Sequence, residues 1–402
     1  MKILYITAEG FDTPNPNNQM AETMINTFLK HGFDIHLIQS HRKGINPDIP
    51  DSLKNQKGFT CDTVHRKIIN KNNFIKRYLN DTHYAFQAMR YWKKVKDADV
   101  IFLQSNPTIL FPMILLKLFK RKIPIVYSIY DVFPGHAYDI GVITSKFIYE
   151  TLRLLQKPCY KMADAIAVLS EDMTRKVVEQ GADEKKVYVV PAWYDVRKTK
   201  EVPWEENRFA EKYQISREKF HVQFAGTIGY VFNYKAVLEL AKRLKDDTGI
   251  DIQIIGDGNV KADFMKKAEE EGLDNISFYP LQPLELVPDV YSECDLCIIP
   301  LNKGVIGNGV PSKAPILMAC NRVIVTLAEK DSQYFRMFSE YDMGIAVDIE
   351  DYDGFADAVK YLAGNPDVVV RMTENAYRYA AENYSSTRSN GIFMDIFRSL
   401  KK

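Results

Sequence analysis

The chain has 402 residues, 46% of them hydrophobic and 26% charged, and a formal net charge of +1; this excludes a disordered or collagenous chain and allows two ordinary globular domains. The cysteines (Cys61, Cys159, Cys294, Cys297, Cys320) form no disulfide framework, which points to a reducing compartment. The chain opens directly on a strand pattern without a cleavable signal, and its longest apolar segment, 109–119, is interrupted by Pro112 and Lys117 and falls short of the ~20 residues that span a bilayer.

Along the first half, β-rich runs are expected at 2–7, 34–39, 99–103, 123–129, 164–169 and 186–190, with helical periodicity between them at 20–30 and 146–162. A proline-bounded stretch, 191–203, interrupts the pattern. A second series follows at 220–225, 250–255, 276–279, 296–300, 322–327 and 344–347. Such alternation predicts an α/β protein of two doubly wound, Rossmann-like domains with parallel sheets. The expected boundaries are 1–197 for an N-terminal domain and 198–380 for a C-terminal one. A terminal helix within 381–402 is expected to return to the first domain.

Charge is distributed unevenly. Residues 1–200 hold 30 Lys/Arg against 20 Asp/Glu, and the remainder 23 against 32. Between Arg66 and Lys96 lie nine basic residues and one acid, Asp81, interleaved with Tyr78, Tyr84, Phe86, Tyr91 and Trp92. This block is either a solvated helix face or an attachment site for an anionic membrane surface. No motif for nucleic acid accompanies the charge.

The most informative loop is 304–313, which follows the run 294–300 and leads into an expected helix at 314–320. Gly304, Gly307 and Gly309 permit close backbone approach, and Pro311, Ser312 and Lys313 fall at a helix N-terminus, where N–H groups and a cation suit a diphosphate. Other loops follow strands with similar punctuation: Gly226-Thr227-Ile228-Gly229, Gly256-Asp257-Gly258, the Asn-rich segment containing Asn17 and Asn18, and Tyr130-Asp131 through His136. In open parallel sheets ligands collect at such carboxyl ends. Cys294 and Cys297 lie inside an apolar run and read as core. Asp97-Ala-Asp99 and Asp351-Tyr-Asp353 read as caps rather than metal ligands.

On these segments, notably 131–141 (DVFPGHAYDIG), 168–191 (VLSEDM…KVYVVP), 224–229 (FAGTIG), 254–258 (IIGDG) and 309–319 (GVPSKAPILMA), the chain resembles the family 4 glycosyltransferases of GT-B fold over nearly its whole length. Its Asp-x-x-Pro and Pro-Ser-Lys elements are most similar to the subgroup with N-acetyl-L-fucosamine transferases of bacterial surface polysaccharides. The resemblance implies two Rossmann-like domains facing each other across a cleft, and retaining, metal-independent transfer of a sugar from a nucleotide diphosphate, with UDP expected, and no cofactor. The chain departs from the family at several points. The usual Arg after the first C-domain strand is Thr227, Lys235 is the replacement available for the accompanying Lys, and Asn308 and Ile316 stand near where a pair of glutamates would fall.

The expected donor residues are Gly226, Thr227, Gly229, Lys235, Gly256, Asp257, Gly258, Asn308, Gly309, Pro311, Ser312 and Lys313. Lys313 is expected to stabilise the departing diphosphate. On the acceptor side stand Asn17, Asn18, Asp131 and His136; Asp131 would orient the attacking hydroxyl and His136 would bond a sugar or hydroxyl. The expected activity is hexosyl transfer to a polyprenyl-diphosphate-linked saccharide during capsule, O-antigen or exopolysaccharide assembly, by a cytoplasmic protein bound peripherally to the inner membrane face. A sugar-nucleotide epimerase of the same shape and a catalytically silent nucleotide-sugar-binding subunit are the alternatives.

Overall fold

The computed structural model describes residues 1–401 except 13–15, 43–48, 68, 70–73, 92–96 and 105–121. Trp92, Lys93, Lys94, Lys96, Lys117, Lys120 and Arg121 therefore lie outside the described residues. The chain divides into two compact units. The first comprises residues 1–192, 307–309 and 386–402, and the second 193–306 and 310–385. These limits differ by about five residues from those read in the sequence, and the first unit also takes in three residues of the 304–313 loop.

In the first unit, β1 (Lys2–Ile6), β2 (Asp34–Arg42), β3 (Phe59–Arg66), β4 (Val100–Gln104), β5 (Ile125–Ile129), β6 (Ala165–Val168) and β7 (Val187–Val189) form a parallel sheet of order β3-β2-β1-β4-β5-β6-β7. Before its terminal helix, the described helices are α1 (Pro16–Lys30), α2 (Phe74–Ala88), α3 (Gly135–Asp139), α4 (Lys146–Met162) and α5 (Glu171–Glu179). β4, β5 and β6 are buried along their whole length, which explains their near-continuous apolar sequences. β3 is the strand the sequence reading lacks. Only Val64 of its eight residues is buried, so its sequence carries little apolar signal. The terminal helix, Ser386–Leu400, belongs to this unit and buries Phe393 and Phe397 against Phe102, at ring separations of 5.2 and 5.6 Å.

The second unit repeats the plan. β8 (Phe220–Thr227), β9 (Ile250–Asp257), β10 (Ile276–Tyr279), β11 (Leu296–Pro300), β12 (Val323–Ala328) and β13 (Ile345–Asp348) form a parallel sheet of order β10-β9-β8-β11-β12-β13. Its described α-helices are α6 (Arg208–Tyr213), α7 (Tyr234–Arg243), α8 (Lys261–Glu270), α9 (Val287–Glu293), α10 (Ala314–Ala319), α11 (Gln333–Glu340), α12 (Tyr352–Ala363) and α13 (Pro366–Asn383). Its core joins Val222, Ile252, Leu296 and Val325 of the sheet to Leu240, Phe264 and Phe355 of the helices. Cys294 and Cys297 are both buried, with their sulfurs 3.5 Å apart. Asp351 caps α12 by accepting the Gly354 N–H at 2.9 Å, and Asp99 accepts the Lys2 N–H at 2.8 Å.

Candidate active site

In the second sheet, chain order reverses between β8 and β11, and the loops at that switch point are where an open α/β sheet takes its ligand. β8 and β9 end in register there, with Gly226 beside Gly256 and Thr227 beside Asp257. A Cβ on Gly256 would lie 1.9 Å from the Gly226 carbonyl oxygen, and one on Gly258 would lie 2.1 Å from that of Ile228. No side chain fits at either position. The loops are also laced by the Ile228 N–H donating to the Asp257 carbonyl at 3.0 Å. Glycine is required here by the approach of two backbones.

Lys313 immediately precedes α10 and its carbonyl accepts the Leu317 N–H at 3.0 Å, so the residue caps the helix start. Its ammonium lies over the Phe224 ring, 5.2 Å from the centroid. It also rests on the bare face of Gly226, where a Cβ would come within 1.4 Å of Nζ. Gly226 is thus the seat of the lysine head, and its φ of +153° is one that residues with side chains rarely adopt. Desolvation pulls the Lys313 pKa down from 10.5 to about 8, with the Cys297 thiol acting in the opposite direction. No carboxylate counters the charge among the described residues. The result is a desolvated cation beside a glycine-lined strand end and a helix start.

The other expected donor residues divide into two groups. Thr227, Asp257 and Ser312 are exposed at the loop surfaces. Asp257 turns one carboxylate oxygen back onto the Gly258 N–H at 2.8 Å, a local turn bond. Pro311 accepts the Ala314 N–H at 3.0 Å, which closes the turn before α10. Gly229 is buried and accepts the Phe232 N–H at 3.0 Å. Lys235 is exposed in the first turn of α7. Asn308 and Gly309 are counted with the first unit. Asn308 is fully buried there, its amide donates to the Asp139 carboxylate and its carbonyl accepts the Val132 N–H at 2.7 Å. Its side chain is engaged in packing rather than open to a ligand.

Two contributors escaped the sequence reading. Phe224 supplies the ring beneath Lys313. Lys261 donates from Nζ to the carbonyls of Gly256 (2.7 Å) and Tyr279 (3.2 Å), tying the ends of β9 and β10 together. The only sequence signal for Lys261 is a lysine in the first turn after a glycine-rich strand end.

In the first unit, Asp131 follows β5 and His136 lies in the first turn of α3. Asp131 keeps an open edge to solvent, yet dense surroundings desolvate and raise its carboxyl, with His136 acting to lower it. The His136 Nδ1 is buried and has no partner among the described residues. At the far end of α3, Asp139 pairs with Lys176 at 3.0 Å. Asn17 and Asn18 fall within α1 rather than in a loop. The Asn18 amide is spent on the Gly10 carbonyl at 2.6 Å, and the Asn17 side chain lies outside the described residues. Tyr84, expected as part of a surface block, is instead buried, and its hydroxyl donates to the Thr7 carbonyl.

Comparison with known proteins agrees with this architecture. Residues 18–198 match the family described as Glycosyltransferase Family 4, and residues 205–379 match Glycosyl transferases group 1. The chain is 26% identical over 277 residues to "Probable glycosyltransferase WbjE" of Pseudomonas aeruginosa, covering 68% of this chain and 69% of that one. It is 27% identical over 188 residues to WcaI of Escherichia coli (strain K12), provisionally described as a "colanic acid biosynthesis glycosyl transferase", covering 46% of each. Among solved structures, Anabaena Alr3699/HepE in complex with UDP and glucose superposes with a TM-score of 0.71 at 13% identity, over 99% of this chain and 100% of that one. The two family matches together place the chain among the family 4 glycosyltransferases, and its fold is GT-B.

Proposed function

We propose that this glycosyltransferase moves a sugar, with retention, from a UDP-sugar to a lipid-linked saccharide during assembly of a bacterial surface polysaccharide. The observation that carries the reading is the Lys313 ammonium, desolvated and seated on Gly226 at the switch point of the second sheet. A sugar leaving a nucleotide releases negative charge onto the diphosphate. A fixed cation beside a helix start stabilises that charge without reorganising at the moment of reaction. A free lysine and a helix start together neutralise the leaving group, so the proposal includes metal independence.

Support for the donor comes from the UDP in Alr3699/HepE, and support for the pathway class from the name of WcaI. Asp131 is assigned to orient the acceptor hydroxyl and His136 to bond a sugar or hydroxyl. The hydroxyl attacks from the face the leaving group departs, so a phosphate oxygen helps to take its proton. The acceptor is a polyprenyl-diphosphate-linked saccharide, reached at an anionic membrane surface by a peripherally bound protein. In the basic block from Arg66 onward, Leu79 and Phe86 of α2 are exposed at 62% and 47%. Among the described residues no helix is long and apolar enough to cross a membrane.

The test is a panel of nucleotide sugars, with UDP-N-acetyl-L-fucosamine included first, incubated with and without a polyprenyl-linked acceptor and with a chelator in a parallel series. UDP release that depends on the acceptor and survives the chelator supports the assignment. Conversion of the donor sugar without acceptor identifies an epimerase, and binding without turnover identifies a silent subunit. Loss of activity in chelator, restored by magnesium or manganese, overturns the donor mode.

A further inference from the structure

A helix in a globular domain normally buries its apolar residues against the sheet and turns its polar ones to water. α4 departs from this on its outer face. Phe147, Ile148, Leu154 and Leu155 are exposed at 80%, 51%, 63% and 48%. With Thr151 they fall within an arc of about 120° at the helical repeat, so they form one continuous stripe. The inward face is filled separately, by Gln156, Cys159 and Tyr160. The stripe is therefore surplus to the packing of the unit. Exposed apolar residues scattered singly need no explanation, but a stripe along more than two turns of one helix does.

The charges on the same helix specify the partner. Lys146, Arg153, Lys157 and Lys161 lie together along one edge of the stripe, and the helix carries one acid, Glu150, already paired with Arg153 at 2.8 Å. Lys146, Lys157 and Lys161 have no acidic partner among the described residues, and an apolar face bordered by such cations matches a surface that is hydrocarbon below and anionic above. We infer that α4 docks the first unit onto an anionic lipid surface, with Phe147, Ile148, Leu154 and Leu155 entering the acyl boundary and the basic edge meeting headgroups. This rests on the proposed membrane-borne acceptor for its purpose, but the surface itself is argued from α4 alone and lies outside the basic block at 66–96. One contact gives it a route to the site. Tyr149 of α4 stacks on Tyr138 of α3 at 4.4 Å and 21°, and α3 carries His136. Docking would therefore hold α3 at a fixed height above the lipid.

Vesicle sedimentation tests the inference, with phosphatidylglycerol-containing vesicles, neutral phosphatidylcholine vesicles, and two variants of the full chain. Wild type should bind the anionic vesicles. Phe147→Ser combined with Leu154→Ser should lower that binding by at least about tenfold while leaving the circular dichroism spectrum and melting temperature unchanged. Lys157→Gln combined with Lys161→Gln should remove most of the preference for anionic over neutral vesicles and flatten the salt dependence. Equal binding of wild type and the serine variant overturns the inference, as does absence of binding by wild type. So does a serine variant that changes sedimentation of the protein alone, because the stripe is then an interface between copies or with another protein. Transfer to a water-soluble saccharide acceptor, measured without vesicles, separates this from the functional reading. Its failure in wild type overturns that reading and leaves the docking result standing.

Discussion

Lys313 sits where burial disfavours its charge, and a bound diphosphate would reverse that preference. Below about 8 the folded protein holds a desolvated ammonium that the unfolded chain hydrates freely. This penalty is full at neutral pH and fades as pH rises from about 8 toward the ordinary value of 10.5. Affinity for UDP should run the other way, weakening as pH rises through 8 because the amine loses its proton. Titration calorimetry across that range should show the loss in wild type and a flat profile in Lys313→Arg, which stays charged. The same slope in both proteins would place the titrating group elsewhere. Lys313→Ala should lower turnover about a hundredfold, roughly 3 kcal/mol of transition-state stabilisation, with a near-normal melting temperature. Gly226→Ala makes a stricter test of the geometry. Its methyl would occupy the position of the lysine head, 1.4 Å from Nζ, so it should mimic Lys313→Ala in turnover. The double variant should then be little worse than either single one, because both remove the same contact. Additive losses would show that Gly226 acts independently of Lys313.

Strands were most plainly legible in the sequence where burial is complete, although β7, β10 and β13 were read despite partial burial. The central strands β4, β5, β6 and β11 are buried from end to end, and their apolar runs announced them. β3, FTCDTVHR, lies at a sheet edge with one buried residue and reads as a polar loop. Glycines signalled close approach at Gly226 and Gly256, but the partner each approaches could not be read, because the register of β8 on β9 and the return of Lys313 to β8 are tertiary facts. The same holds for Asn308: an Asn between two glycines reads as a loop residue, and its burial and bond to Asp139 are tertiary facts too. Small caps were more easily missed still. Asn207 is buried at the start of α6, accepts the N–H groups of Phe209 and Ala210 at 3.1 and 2.9 Å, and donates to the Asp289 carbonyl at 2.8 Å. Asn207→Ala should cost about 1–2 kcal/mol of stability, seen as a lower denaturation midpoint at unchanged slope, and should leave UDP affinity intact. An unchanged midpoint would mean that water replaces the cap.

At the scale of the whole molecule, each unit has its own core, and each should have its own thermal signature. The first unit is completed by residues from the far end of the chain: Phe397 packs against Phe28 at 5.5 Å and Phe102 at 5.6 Å, fully buried. The second unit closes around Val222, Phe264 and Phe355. Phe397→Ala removes a buried ring from the first core, a loss of about 3–5 kcal/mol. UDP, by contrast, should bind only where Lys313 and Gly226 meet, and a ligand raises the stability of the unit it binds in proportion to its saturation. Scanning calorimetry should therefore resolve two responses. Phe397→Ala should bring one transition down, and UDP should move the other up, in wild type and variant alike. The Lys313→Ala protein should lose most of the UDP shift without a change in the Phe397-sensitive transition. If UDP instead raised the transition that Phe397→Ala lowers and left the other unmoved, the nucleotide would be bound in the first unit and the assignment of Lys313 would fall.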